Sequence, residues 1–119
     1  MTEKPKILVV DDEESHRIML RAVLGAEWYT VAEAADGTEA VAAVGKEAFD
    51  VILMDIRMTN MDGIEALGEI RQISPQIPVL IMTAYASVKT AVEALKAGAF
   101  DYLTKPLDIE ELKIRSESV

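Results

Sequence analysis

The chain has 119 residues, 50% of them hydrophobic and 28% charged, and contains no cysteine, which excludes a disulfide framework, a zinc finger and a thiol nucleophile. This length suits one domain with its own core, and no apolar run approaches the roughly 20 residues of a membrane helix. The 12 basic and 21 acidic residues give a net charge of −9, which disfavours direct contact with nucleic acid or membranes, and without a signal-peptide pattern at the N-terminus we expect a cytoplasmic location.

Short apolar runs alternate with amphipathic stretches, which predicts alternating strands and helices. In chain order the predicted elements are strand Lys6–Val10, helix Asp12–Gly25, strand Tyr29–Ala34, helix Thr38–Lys46, strand Val51–Met54, helix Gly63–Ile73, strand Val79–Met82, helix Ser87–Ala97, strand Phe100–Thr104 and helix Leu107–Ile114. Asp36 and Gly37 form a predicted turn, Pro75 ends the third helix, and Gly98 is the predicted C-terminal cap of the fourth.

This alternation predicts an α/β fold, a doubly wound parallel sheet of five strands with five helices on its two faces. The strands agree, because strands covered on both faces are continuous apolar runs rather than alternating ones. The pattern does not determine the strand order, and the expected order is the flavodoxin-like 2-1-3-4-5 of small five-stranded units.

Helical spacing also predicts which residues of the first and fourth helices face the core. The predicted core-facing positions of the first helix are His16, Met19, Leu20, Val23 and Leu24. Those of the fourth helix are Val88, Ala91, Val92 and Leu95. His16 is therefore expected to be a packing residue.

Polar side chains follow four of the predicted strands: Asp11 and Asp12, Asp55, Thr83 and Lys105. Parallel strands end at one edge of the sheet, where such folds bind ligands, so these groups should converge. Clustered carboxylates repel one another, and an oxygen-only donor set suits Mg²⁺. Asp55 could then act as a nucleophile that becomes an aspartyl phosphate, with Lys105 neutralising the phosphoryl oxygens and Thr83 donating a hydrogen bond.

Each of these residues also has a structural interpretation. The acids from Asp11 onward could stabilise a helix N-terminus, Asp55 could cap a turn, Thr83 could be a solvated strand end and Lys105 a surface lysine. Those interpretations do not explain why all of these residues follow strands at the same edge of the sheet.

Five motifs carry a resemblance to a known family. They are Ile7-Leu-Val-Val-Asp-Asp-Glu13, Val51-Ile-Leu-Met-Asp-Ile-Arg-Met58, Met61-Asp-Gly63, Leu80-Ile-Met-Thr-Ala84 and Asp101-Tyr-Leu-Thr-Lys-Pro106. From about Lys6 to Leu112 the chain resembles the receiver domain of two-component response regulators. It is most similar to receivers of the nitrogen-regulation type, which usually precede an ATPase domain acting on the alternative sigma factor, sigma-54, and a DNA-binding domain.

The resemblance implies a role for each acid. Asp55 would be the phosphoacceptor. Mg²⁺ would be held by the side chains of Asp12 and Asp55 and by the backbone carbonyl of Arg57, with Asp11 assisting through water.

The resemblance also implies the phosphoryl contacts and the switch. Lys105 would contact the phosphoryl group, next to a cis peptide bond to Pro106. Thr83 and the small Ala84 would lie beside that group. Thr83 and Tyr102 would form the switch pair.

The implied partners are a sensor histidine kinase, which donates the phosphoryl group, and a second copy of the chain. Phosphorylation would favour a homodimer through the face formed by the fourth helix, the fifth strand and the fifth helix. Lys89, Glu93 and Lys96 lie on the polar side of that fourth helix, and Ala94 and Ala97 are expected to allow close approach. Control of transcription would pass through an attached effector domain, so no direct contact of this domain with DNA is expected.

Two features depart from the family pattern. Thr59 stands where the family usually has proline, and we hypothesise that it loosens metal binding; unchanged Mg²⁺ affinity in Thr59→Pro would refute this. The last helix stops early in the polar segment Arg115–Val119, so residues 1–119 are expected to be a single receiver domain from a longer response regulator.

Two other functions remain open. One is a Mg²⁺-dependent phosphohydrolase of the haloacid-dehalogenase type, although that family has Asp-x-Asp after its first strand and this chain has Asp11-Asp12-Glu13. The other is an interaction module that is never phosphorylated, in which the acids are structural.

Overall fold

Nine helices and strands are defined in the computed structural model, which describes residues 4–25, 28–56, 61–83, 88–104 and 110–111. They are β1 (Lys6–Val10), α1 (Glu14–Gly25), β2 (Thr30–Ala34), α2 (Gly37–Lys46), β3 (Val51–Asp55), α3 (Gly63–Ile73), β4 (Val79–Thr83), α4 (Val88–Lys96) and β5 (Asp101–Thr104). Of the predicted fifth helix only Glu110 and Glu111 are described, and both are helical. No helix within these described ranges is long and apolar enough to cross a membrane.

The five strands form one parallel sheet with the order β2-β1-β3-β4-β5. The predicted doubly wound fold and its flavodoxin-like order are therefore confirmed. β3 lies at the centre, and every residue of β3 and β4 is buried. All strands run the same way, so their carboxyl ends share one edge of the sheet.

Successive strand residues point to opposite faces of the sheet and build two hydrophobic cores. Leu8 and Val10 of β1 belong to the core that also holds the buried residues of α2, α3 and α4. Ile7 and Val9 belong to the core on the other face, which holds Leu20 and Leu24 of α1. The helices are thus divided between the faces, as double winding requires.

Aspartates fix where α2 and α3 begin. The side chain of Asp36 accepts a hydrogen bond from the backbone N–H of Glu39 at 2.8 Å, and Asp62 accepts one from Glu65 at 2.8 Å. Each bond satisfies an N–H that the first helical turn leaves without a partner in the helix. These caps fix the residue at which each helix begins, close to the end of a strand.

The predicted core face of α4 is wrong at two described positions. Val92 is 40% exposed and Leu95 is 47% exposed, whereas Ala94 is fully buried. Ala97, expected at a dimer surface like Ala94, instead packs partly buried against the core. The small Ala94 lets the helix backbone approach the sheet, and the larger side chains of the second apolar stripe remain outside. The side chains of the other two predicted positions, Val88 and Ala91, lie outside the described part.

Arg71 near the end of α3 joins three segments of the chain. Its Nε and Nη2 donate to the carbonyl oxygen of Gly98 at 3.1 and 2.8 Å, and its Nη1 donates to the carbonyl oxygen of Ile77. Burial lowers the pKa of Arg71 from its usual value. Gly98 has φ +106°, which confirms the predicted glycine cap after α4. The guanidinium therefore ties the ends of α3 and α4 to the start of β4.

Candidate functional site

The site is built from residues at the carboxyl ends of three neighbouring strands. Asp11 follows β1, Asp55 ends β3, and Thr83 ends β4, directly after Met82, the residue paired with Asp55. Asp11, Asp55 and Thr83 are 0%, 6% and 4% exposed, whereas Asp12 is exposed. Topology thus brings together side chains that are far apart in the sequence.

The three acids lie close enough to share one cation. Asp11, Asp12 and Asp55 each offer a carboxylate oxygen, and these oxygens all lie within 4.8 Å of one another. Such carboxylates repel one another unless a positive charge lies between them or they take up protons. Since all donors are oxygens, the cluster fits a hard divalent cation such as Mg²⁺ rather than a metal that prefers sulfur or imidazole.

Hydrogen bonds hold both carboxylate oxygens of Asp11 and also its backbone N–H and carbonyl groups. Oδ1 accepts from the backbone N–H of Glu13 at 3.0 Å, and Oδ2 is paired with Nδ1 of His16. The backbone carbonyl of Asp11 accepts from Nη1 of Arg17 at 2.7 Å, and its N–H donates to Ala34 at 3.1 Å. The buried carboxylate consequently has a fixed orientation.

His16 is thus a site residue that sequence reasoning missed. Its side chain is 15% exposed, which fits a packing position, but it also pairs with Asp11, which the packing interpretation did not include. Met19, also predicted to face the core, is 37% exposed. Helical side chains tilt toward the helix N-terminus, and His16 lies in the first turn of α1, so it reaches back over the end of β1. The signal available in the sequence was that His16 follows shortly after the Asp11-Asp12 pair.

Arg17 also connects the site to the edge strand β2. Its Nε donates to Glu33 at 3.2 Å, and Nε of Arg21 donates to the same carboxylate at 2.5 Å. The pKa of Glu33 is lowered, chiefly by the hydrogen bond from Arg21. Burial raises this pKa, and the hydrogen bond from Arg17 lowers it by a smaller amount. An ionised Glu33 therefore orients the guanidinium that holds the backbone of Asp11.

The end of β3 is packed tightly against the start of α3. The N–H of Gly63 donates to the carbonyl oxygen of Ile56 at 2.7 Å, and the N–H of Ile56 donates to Met82 at 3.0 Å. A Cβ atom at Gly63 would collide with the carbonyl oxygen of Asp55 and lie 2.8 Å from Cα of Ile56. Glycine at this position is what allows α3 to begin next to Asp55.

Comparison with known proteins decides the family. Residues 7–117 match the response regulator receiver domain. The chain belongs to this family. It is therefore the receiver domain of a two-component response regulator, as the sequence motifs predicted.

This receiver domain is also similar to the amino-acid sequences of full-length regulators. It is 56% identical over 112 residues to the transcriptional regulatory protein ZraR of Klebsiella oxytoca, covering 94% of this chain. It is 45% identical over 105 residues to the DNA-binding transcriptional regulator NtrC of Salmonella typhimurium, covering 88% of this chain. The match covers 25% of ZraR and 22% of NtrC, so the chain spans about a quarter of these curated relatives. The predicted similarity to the nitrogen-regulation type is confirmed.

A solved structure agrees with the fold of the receiver domain. The chemotaxis protein CheY4 of Vibrio cholerae superposes with a TM-score of 0.93 at 35% sequence identity, covering 98% of this chain and 99% of that one. The fold of this chain is therefore also that of a solved chemotaxis protein.

The predicted site residues fall into two groups. The described part of the receiver domain brings Asp11, Asp12 and Asp55 together, with Thr83 buried at the end of the adjacent strand. Tyr102 lies in β5, half-buried against the core on the α2–α4 side. The remaining predictions concern residues outside the described part: Arg57, Thr59, Ala84, Lys105 and Pro106.

Proposed function

We propose that this receiver domain accepts a phosphoryl group onto Asp55 from a phosphohistidine of a sensor histidine kinase, in a Mg²⁺-dependent reaction. The observation that carries the proposal is the position of Asp55 at the end of the central strand, where it is 6% exposed and its carboxylate lies within 4.8 Å of oxygens of Asp11 and Asp12. Three such carboxylates are costly to keep ionised without a cation, which favours metal-assisted chemistry over a capping role.

The chain would hold the ion with oxygen ligands only. Asp12 and Asp55 would bind it directly together with the backbone carbonyl of Arg57, and Asp11 would bind it through water. Mg²⁺ retains several waters and is typically bound by one or two carboxylates plus phosphate, so the exposed Asp12 beside Asp55 suits it. When bound, the ion supplies positive charge that offsets the carboxylates and the phosphoryl oxygens.

In the proposed transfer, a carboxylate oxygen of Asp55 attacks the phosphorus atom. The P–N bond of the donor histidine breaks, its electron pair remains on the imidazole nitrogen, and an acyl phosphate forms on Asp55. The ammonium group of Lys105 and the hydroxyl of Thr83 would stabilise the phosphoryl oxygens. Ala84 would leave room for them, and the peptide bond between Lys105 and Pro106 would be cis. The domain would thereby catalyse its own phosphorylation and, more slowly, the hydrolysis of the acyl phosphate on Asp55 by water.

Phosphorylation would change the α4–β5 face of the domain. Thr83 would move toward the phosphoryl group, and Tyr102 in β5 would turn inward into the space that is left. The exposed apolar side chains of this face support its role as a contact surface: Val92 is 40%, Leu95 is 47% and Phe100 is 49% exposed. We propose that the phosphorylated form pairs with a second copy through α4, β5 and the fifth helix.

The output of the pairing would be control of transcription. The relatives named transcriptional regulators are about four times as long as this chain, and we propose that residues 1–119 act within a longer protein of that kind. An ATPase domain acting on sigma-54 and a DNA-binding domain would then carry the signal onward. The domain would meet its kinase in the cytoplasm.

The test is the intact mass of the chain after incubation with acetyl phosphate and Mg²⁺. We expect one added phosphoryl group in the wild type and in Asp50→Asn, a matched control at the opposite end of β3. We expect none in Asp55→Asn, and none in the wild type when Mg²⁺ is removed by EDTA.

Other results would favour the alternatives. A folded chain that binds Mg²⁺ but gains no mass from acetyl phosphate or from a phosphorylated histidine kinase domain would support the interaction module. Steady turnover of a phosphoester such as para-nitrophenyl phosphate would support the phosphohydrolase.

A further inference from the structure

Asp11 is the acid of the cluster that the first turn of α1 holds in place. It is fully buried, and both carboxylate oxygens take part in hydrogen bonds, Oδ1 with the backbone of Glu13 and Oδ2 with His16. Asp12, in contrast, is exposed. A carboxylate fixed by the protein at both oxygens is suited to accept hydrogen bonds from the water ligands of an ion rather than to replace them.

We propose that His16 is a positioning residue of the metal site, which orients Asp11 so that it binds the hydrated cation through water. This inference rests on the proposed function, because it assigns His16 a part in the Mg²⁺ affinity of that same site. It goes beyond it in adding a side chain that the motifs of the family did not single out.

The chemistry of the contact supports this role. A carboxylate can only accept, so Nδ1 of His16 is the donor and Oδ2 of Asp11 the acceptor. Hydrogen bonds to carboxylates are stronger than neutral ones, and a buried oxygen that loses such a partner is left unsatisfied at a cost in free energy. The present orientation of Asp11 is therefore favoured while His16 donates to it. Groups that orient the ligands of a metal typically contribute about tenfold or more to its affinity.

His16 is the part of this arrangement that a substitution can test cleanly. The donor to Oδ1 is a backbone N–H, which no side-chain change removes. Arg17 holds the carbonyl group of Asp11 and also binds Glu33, so its replacement would disturb two contacts at once. His16 contacts the carboxylate itself from the first turn of α1.

The experiment compares two substitutions of His16 by isothermal titration of the chain with MgCl₂. His16→Leu removes the donor but fills a similar volume, and we expect the Mg²⁺ dissociation constant to rise about tenfold. His16→Asn places an amide N–H near the position of Nδ1, and we expect a dissociation constant within about threefold of the wild type. Ile18→Asn, at a position of the same helix that is 58% exposed, controls for asparagine in α1.

Melting temperatures in EDTA separate this role from a purely structural one. If His16→Leu lowers the melting temperature in EDTA but binds Mg²⁺ as tightly as the wild type, His16 only stabilises the fold and the inference is overturned. An equal loss of affinity in His16→Asn, or tighter binding in His16→Leu, would also overturn it. A wild type that binds no Mg²⁺ would remove the inference together with the proposed metal site, while wild-type binding without phosphorylation would remove only the proposed phosphoryl transfer.

Discussion

Gly63 controls how closely α3 approaches the proposed phosphoacceptor. We expect Gly63→Ala to destabilise the fold by about 1–3 kcal/mol, because its Cβ would push against the backbone of Asp55 and Ile56. Phosphorylation by acetyl phosphate should also slow, since the carboxylate of Asp55 moves with that backbone. Urea denaturation and intact mass measure the two effects.

Gly68 in the same helix provides the control for this substitution. A Cβ at Gly68 meets nothing within 4 Å, so Gly68→Ala should stabilise the chain by about 0.5–1 kcal/mol through its helix propensity. If both alanine substitutions change the free energy of unfolding by the same amount, the close contact at Gly63 has no energetic importance.

Glu33 gives the stability of the domain a specific pH dependence. Its pKa is lowered below 4.5 in the folded state, chiefly by the hydrogen bond from Arg21, so the folded state favours the ionised form. The resulting stability is present above pH 4.5 and is lost as the pH falls through the lower folded pKa. We expect Glu33→Gln to cost about 0.5–1 kcal/mol at pH 7 and less at pH 3. Urea denaturation at the two pH values measures the difference; an equal cost at both would contradict it.

The acids could be predicted from the sequence, whereas the pairing of His16 could not. Asp11 and Asp55 each follow a buried apolar strand, and in a parallel sheet every such position lies at the same edge. The role of His16 depends on where α1 begins and how it is rotated. Helical spacing placed His16 on the core-facing side of α1, but it could not show that the side chain also points toward Asp11.

Among the elements, α3 and α4 depend on Arg71. We expect Arg71→Met to destabilise the fold by about 2–3 kcal/mol, since it removes a charged donor from the carbonyl oxygens of Gly98 and Ile77. Arg71→Lys should recover only part of the loss, because one ammonium group lacks the planar fork that reaches both carbonyls. Thermal unfolding measures both; full recovery by lysine would show that charge alone matters.

The orientation of α4 illustrates what periodicity leaves undetermined. The helix has two stripes that could face the sheet, one with Val92 and Leu95 and one with Ala94 and Ala97. Hydrophobicity favoured the larger residues, but Ala94 is buried and the larger residues are exposed. The distance between a helix and a sheet follows from the volume available in the core, which one helix's sequence does not give. From the sequence alone, this exposed apolar stripe could not be distinguished from a stripe that packs in the core.

At the scale of the whole molecule, the exposed stripe of α4 predicts the behaviour of the phosphorylated form. We expect Leu95→Ser to weaken its self-association at least about tenfold, since a leucine buried at an interface contributes about 1.5–3 kcal/mol. The gain in mass from acetyl phosphate should be unchanged. Ile73→Ser, at an exposed position of α3 outside this face, is the control, and sedimentation velocity is the measurement. Equal association of both variants would exclude this face as the contact.

The inner and edge strands of the sheet should differ in how readily they open. The inner strands are β1, which precedes Asp11, and β3 and β4, which end at Asp55 and Thr83. The edge strands β2 and β5 are less completely buried. Local opening starts where few apolar groups are buried, so backbone amides of β5 should exchange with deuterium before those of β3. The edge carrying Tyr102 can then fluctuate while the acid cluster stays assembled. The proposed phosphoacceptor would then lie in the slowest-opening part of the sheet, and the proposed switch residue Tyr102 in a part that opens early.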